Sequence, residues 1–171
     1  MRHRHPLLTV LAIVFALVGT ACGDAGNPPG THAAKGAPSG GLEFTASTLD
    51  SQPFNGVTLA GKPTVLWFWE PSCSACRAQA PEVALTADLH DGSVSVVGVA
   101  GAGGSALHKE FATSTGTHYL RHLADPDKKV WNRFDVTKPG TYVLLDASGE
   151  VVMRGDGLNG RLAKEVSKLV G

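Results

Sequence analysis

Cys73 and Cys76 are the residues of this chain best suited to chemistry. They are two thiols three positions apart in the stretch "WEPSCSAC" (69–76), directly after an unbroken apolar run. Such a pair can be a metal half-site, a structural staple or a redox centre. A structural zinc site takes four ligands, commonly two pairs of this kind or one pair with spaced histidines. Cys22, Cys73 and Cys76 are the only cysteines, so zinc would have to recruit dispersed histidines. A staple across so short a loop removes little unfolded-state entropy. Redox chemistry suits the placement better, because a cysteine at the first turn of a helix meets unpaired N–H groups and the positive end of the helix dipole, which favour its thiolate. Cys73 holds that place. Cys76, on the same side of the turn, is positioned to attack a mixed disulfide and release the product.

The elements that must position this pair are legible from periodicity and punctuation. "LEFTASTL" (42–49) alternates as a strand or hairpin arm, and "TVLWFW" (64–69) is a continuous apolar strand. A helix follows from about Cys73 to His90, interrupted by Pro81. "VSVVGVA" (94–100) is a second buried strand, whose unbroken apolar character suggests a parallel pair covered on both faces. The turn "GAGGS" leads into a helix over 106–114, followed by a strand-like "THYLRHLAD" and a short helix in "PDKKVWNRF". "TYVLLD" and "EVVMRG" make an antiparallel hairpin around "ASG". Asn159 can cap a last helix over 161–170, with Leu162, Val166, Leu169 and Val170 inward. The fold class is α/β: a small mixed sheet with helices on both faces.

The N-terminus is not part of that fold. Arg2 and Arg4 precede an apolar stretch, Leu7 to Val18, and small residues before Cys22, the pattern of an export signal over 1–21. The apolar run is shorter than the roughly 20 residues a transmembrane helix needs. "LVGTAC" resembles a bacterial lipobox, in which Cys22 becomes the lipidated first residue, although Gly19 stands where Leu is preferred; ordinary signal cleavage after Ala21 fits the same residues and would leave Cys22 an unmodified N-terminal thiol. Residues 22–41, rich in Gly, Pro, Ala and Ser, form a tether of roughly 20 to 25 Å mean span. The folded domain is 42–171. The chain carries 15 basic and 15 acidic residues, with no basic stripe of the kind nucleic-acid binding requires.

"VLWFWEPSCSACRAQAPEV" (65–83) resembles the active-site strand and helix of thioredoxin-like proteins, whose pattern runs close to F-W-A-P-W-C-x-x-C-R-x-x-x-P. The span 42–171, including "STLDSQPFNG" and "FDVTKPGTYVLLDASGEVV", is similar to the exported actinobacterial oxidoreductases of the DsbE/DsbF type, TlpA-like lipoproteins. The resemblance implies a thioredoxin-like fold and a thiol–disulfide oxidoreductase with Cys73 and Cys76 as catalytic residues. It implies a redox-active disulfide with no metal, flavin or nucleotide cofactor, and it favours an oxidase over a reductase of the cytochrome c maturation type. The implied partners are exported cysteine-containing proteins, a redox-recycling partner and the membrane, through the lipid anchor. The implied location is the outer face of the cell membrane. Pro139 falls where that family carries a cis-proline that presents backbone to a client peptide.

Three residues depart from the family pattern near the reactive sulfur. Ser72 stands in place of Trp, removing an apolar shelf from the client surface. Glu70 replaces a small neutral residue and would disfavour a neighbouring thiolate. Lys138 precedes Pro139 where Thr or Val is common, and acts in the opposite direction to Glu70. Other patterns have plainer readings. "GAGGSA" (101–106) with Asp125 formally matches a dinucleotide fingerprint, but no second βαβαβ half follows, and a tight βα turn suffices. His118 and His122 share a strand face about 13 Å apart, unsuited to one metal. Trp67, Trp69, Trp131 and Phe134 are expected in the core. The competing reading of the whole is a non-catalytic lipoprotein that uses the same fold to bind a peptide or copper.

Overall fold

The computed structural model describes residues 41–171; the expected export signal, Cys22 and all of the expected tether but its last residue lie outside the described residues. Seven strands, β1 (Thr45–Thr48), β2 (Pro53–Asn55), β3 (Thr64–Trp69), β4 (Ser95–Ala100), β5 (Arg121–Ala124), β6 (Thr141–Leu145) and β7 (Val151–Gly155), form one sheet in the order β2-β1-β5-β4-β3-β6-β7. The helices are α1 (Ser74–Leu89), α2 (Ser105–Ser114), α3 (Lys129–Arg133) and α4 (Leu162–Val170), with a 3-10 turn at Gly56–Leu59. The central pairs β3–β4 and β4–β5 are parallel, and β3–β6, β6–β7, β1–β2 and β1–β5 are antiparallel.

Every residue of β3 is buried, and the pleat of the strand divides them between two cores. Leu66 and Phe68 pack with Leu42, Phe44, Val99, Trp131 and Phe134 on one face. Val65, Trp67 and Trp69 pack with Cys76, Val83, Phe111, Leu162 and Val166 on the other. Trp67, Trp69, Trp131 and Phe134 are thus core residues, as expected. A strand lined on both faces reads as a continuous apolar run, and this is why "TVLWFW" was recognisable at its observed limits.

Several elements differ from the sequence expectation. The segment 42–49 reduces to a four-residue strand, paired to the short β2 that its polar, proline-containing neighbour conceals. "THYLRHLAD" contributes only Arg121–Ala124 to the sheet; His118 lies in an exposed turn and His122 is buried in β5, so the two do not share a strand face. Asp125, the acid of the formal dinucleotide pattern, is engaged within the chain. Its carboxylate accepts from the backbone N–H groups of Lys129, Val130 and Trp131 at 2.8 to 2.9 Å and starts α3. Burial pushes the Asp125 carboxyl above its ordinary range, against those three hydrogen bonds.

Asn159 does not cap α4. Glu82 of α1 reaches across and accepts from Gly160 N and Leu162 N, both at 2.8 Å, a charge-assisted pair that a neutral Asn side chain does not match. Val170 is 41% exposed, outside the inner face assigned to it. Among the described residues no peptide bond is cis, so Lys138–Pro139 is trans, contrary to the expectation from family resemblance. A trans bond follows the intrinsic preference of X–Pro linkages. The chain turns there through Gly140 instead, whose φ of +86° is readily adopted by glycine.

Candidate active site

Cys73 and Cys76 are joined as a disulfide at the C-terminal end of β3, where the chain enters α1. Cys73 is the N-cap residue of α1, and its Sγ accepts from the N–H of Cys76 at 3.0 Å. A sulfur already receiving an N–H at a helix start is one whose anionic form the local field favours. The two sulfurs differ in access. Cys73 is half-buried, whereas Cys76 is wholly enclosed at 0% exposure among Val83, Tyr142 and Leu162. An incoming thiolate reaches Cys73, and Cys76 can act only from within.

The sheet order sets β4 on one side of β3 and β6 on the other, so the disulfide stands between the loop Gly101–Gly104, which follows β4, and the loop 137–140, which precedes β6. On the β6 side, Gln79 is the hub. It is 3% exposed; its Oε1 accepts from Trp67 Nε1 at 3.0 Å, and its Nε2 donates to Gly140 O at 2.8 Å and Asn159 Oδ1 at 3.2 Å. Gly140 N donates to Phe68 O at 2.7 Å, and Thr141 Oγ1 donates to Lys138 O at 2.8 Å. Pro139, half-buried, is therefore held beside α1 by backbone bonds on both sides, with Lys138 exposed next to it. Sequence reasoning missed Gln79. Its one visible mark is a polar residue three positions after Cys76, on the face that α1 buries.

On the β4 side the contacts are aromatic. Trp69 stacks on Phe111 at 4.3 Å between ring centroids and meets His108 and His122 edge-on. Trp69 Nε1 donates to His122 Nδ1 at 3.2 Å, and His122 Nε2 lies 2.9 Å from Thr117 O. A carbonyl accepts and an indole donates, so His122 is neutral with its proton on Nε2. Burial holds its pKa below the ordinary histidine value. Gly98 makes room for this contact, because a Cβ there would collide with His122 Nδ1 and Trp69 Nε1.

Glu70 does not stand as a free carboxylate beside the disulfide. It pairs with Lys128 at 2.9 Å and accepts from Ala102 N at 3.3 Å, while Lys128 also lies 4.5 Å from the centre of the Trp131 ring. The counter-charge acting on Glu70 is thus Lys128, from the loop before α3. Ser72 is exposed beside Cys73. Among the described residues no three His, Cys, Asp or Glu side chains gather as metal ligands, and no helix is long and apolar enough to cross a membrane.

A mixed sheet in this order, with a CxxC disulfide capping the helix after its central strand, defines a thioredoxin-like redox protein. The Redoxin family model matches residues 32–169, and the chain belongs to that family. The soluble secreted antigen MPT53 of Mycobacterium tuberculosis is 35% identical over 130 residues, covering 71% of this chain and 74% of the relative. The solved structure of DsbF from the same organism, in mixed oxidized and reduced forms, superposes with a TM-score of 0.71 at 39% identity, over 75% of this chain and 96% of that one. A secreted M. tuberculosis disulfide oxidoreductase homologous to E. coli DsbE gives a TM-score of 0.70 at 31% identity, over 75% and 98%. These similarities place the chain among thiol–disulfide oxidoreductases of the DsbE/DsbF type with a thioredoxin-like fold.

Proposed function

We propose that this protein is an extracytoplasmic protein disulfide oxidase, anchored through a lipid on Cys22 and held off the membrane by residues 22–41. The secreted state of its relatives supports the location. The observation that carries the catalytic reading is the asymmetry of the pair: Cys73 at the helix N-cap and open, Cys76 closed beneath it. A client thiolate attacks Cys73 Sγ, the Cys73–Cys76 bond breaks, and Cys76 departs as a thiolate that takes up a proton. The client's second cysteine, as thiolate, then attacks the client sulfur of the mixed disulfide and releases Cys73. The client dithiol is oxidised by two electrons and the protein pair is reduced by two. Pro139, with Lys138 and Ser72 nearby, borders the path of the client chain, and a recycling partner of unspecified identity reoxidises the pair.

Two features support the oxidase direction. The N-cap position favours the Cys73 thiolate and so the reduced protein, which makes the disulfide the stronger oxidant. Lys128 offsets the charge of Glu70, the nearby acid that would oppose this. The test is the equilibrium reduction potential of the pair against a glutathione buffer. A value between about −120 and −180 mV is expected; one near about −270 mV or below would assign the protein to reductive work.

A further inference from the structure

Beside Gly103 a cavity of about 210 Å³ opens between the start of α2 and the chain around the end of β1. His108 lines it, and this side chain is 1% exposed with neither ring nitrogen hydrogen-bonded. Buried polar groups ordinarily have partners, so an unpaired imidazole calls for an explanation. His122, the other buried histidine, has both of its nitrogens engaged. The Nε2 of His108 faces Gly103: a Cβ on that glycine would stand 2.8 Å from it, and 3.2 Å from Pro71 Cγ on the active-site turn. The cavity also receives the first turn of α2. Gly104, the N-cap residue, has no side chain to offer the N–H groups of that turn, and no acidic residue stands within it. Those N–H groups have no partner inside the helix. Ser105, which opens α2, and Ser47 and Ser51, from β1 and the turn after it, line the cavity and add hydroxyl donors.

We propose that this cavity is a binding site for a phosphate or sulfate group. Its polar lining can donate throughout, through backbone N–H, hydroxyl and imidazole groups, and His108 holds an N–H to donate in either tautomer. A helix start free of acid and of a side-chain cap carries partial positive charge and open N–H donors, which an anion satisfies. The carboxylates that adjoin the walls in sequence are already occupied. Asp50 pairs with Lys109 at 2.7 Å, Asp127 pairs with Lys129 at 3.6 Å, and Asp125 accepts from three N–H groups of α3. A cation therefore finds no free counter-charge there. The donors stand on two sides, α2 and β1 with its turn, which four oxygens serve better than the two of a carboxylate. The volume lies below the roughly 300 Å³ at which pockets for drug-sized ligands begin, so it suits one such group and not a nucleotide. The site does not depend on the oxidase reading. An anion in it would bridge α2 to β1 and steady Gly103, which neighbours both His108 and Pro71.

The test is a nuclear magnetic resonance titration of the oxidised, isotope-labelled full chain with sodium sulfate, sodium phosphate or sodium acetate, at an ionic strength held constant with sodium chloride. Saturable shifts are expected at the Ser105 and Ala106 amides and the His108 ring with sulfate and phosphate, and acetate is expected to bind about tenfold more weakly. In His108→Phe the affinity for sulfate is expected to fall at least about tenfold, or about 1.4 kcal/mol, as the loss of a hydrogen bond to a charged group implies. Gly104→Asp is a second variant that fits the backbone, because φ there is −92° and a Cβ meets nothing within 4 Å. Its carboxylate supplies the first turn of α2 from within the chain, so the anion response is lost while stability in urea rises. His118→Gln, at an exposed histidine, leaves the affinity unchanged. Glycerol phosphate identifies the source: binding equal to that of phosphate places the group on a larger ligand, and no binding assigns the free ion, with the site supported in both cases. Shifts that grow linearly without saturating in the wild type, acetate binding as tightly as sulfate, or full affinity in either His108→Phe or Gly104→Asp would overturn the proposal.

Discussion

The two flanks of the disulfide are built differently. Toward β6, the loop carrying Pro139 is pinned by directional bonds: Gln79 to Gly140, Gly140 to Phe68, Thr141 to Lys138. Toward β4, the loop Gly101–Gly104 is tied to the end of β3 by Gly101 N to Trp69 O and Ala102 N to Glu70, while α2 behind it meets Trp69 through the rings of Phe111 and His108, and buried His108 has neither ring nitrogen hydrogen-bonded. Hydrogen bonds fix backbone direction, which suits a surface that must align an extended client chain. Ring packing fixes the seat of α2 against β3 without tying down its backbone direction. The chemistry sits between them at the N-terminus of α1.

Replacing Cys76 by serine separates the chemistry from both flanks and has the largest expected effect. Catalytic oxidation of a dithiol peptide is lost, by at least about a thousandfold, because Cys73 no longer has the partner with which it forms the oxidising disulfide. Cys73 then forms a long-lived mixed disulfide with an oxidised client, visible as an added mass that reduction removes. Cys73→Ser is equally inactive but forms no such adduct, since the enclosed Cys76 is not reached.

Gln79→Leu breaks the β6 flank alone. It leaves the Trp67 indole N–H and the Gly140 carbonyl without their buried partner, at a cost of about 2 to 4 kcal/mol in urea unfolding. The rate with a dithiol peptide is expected to fall more than the rate with dithiothreitol, because the client-aligning loop is released while the disulfide is retained. Equal loss for both would mean that the loop does not align clients.

The β4 flank responds to pH. His122 is held neutral between Trp69 and Thr117, with its pKa below the ordinary value of 6.5. Below that value the unfolded chain takes up a proton that the native chain refuses, so the stability present above about pH 6.5 declines as the pH falls. The slope from this one group is at most about 1.4 kcal/mol per pH unit. Chemical denaturation between pH 7.5 and 5 measures the decline, and His122→Phe removes this contribution to the slope while lowering stability at pH 7.5 through the lost indole bond.

The central strands, the active-site helix, the hairpin and the CxxC pair were legible because each is a local pattern: an apolar run, a turn dipeptide, two thiols at fixed spacing. What escaped depends on partners distant in sequence. Nothing near Gln79 announces Gly140, 61 residues on, and nothing near His122 announces Trp69, 53 residues back. Glu70 is visible in the sequence as a charge next to the reactive turn, but its counter-ion Lys128 is not, because the fold brings the loop before α3 to β3. Lys138, adjacent to Pro139 in sequence, stays exposed.

The smallest expected effect tests how far the active-site helix is organised as one stripe. Cys73, Cys76, Gln79 and Glu82 follow at intervals of three, so they lie along neighbouring turns of α1. In order they supply the attacked sulfur, the enclosed sulfur, the tie to the Pro139 loop, and the cap of α4. If the stripe is graded, with chemistry at its start and scaffold at its end, Glu82→Ala costs about 1 kcal/mol, the usual loss of a helix cap. It leaves the reduction potential unchanged. Urea unfolding and the glutathione titration on the same preparation decide the point. A shift in potential of more than about 15 mV, roughly 0.7 kcal/mol for a two-electron couple, would show that the docking of α4 is felt at the sulfur and that the stripe acts as one rigid unit.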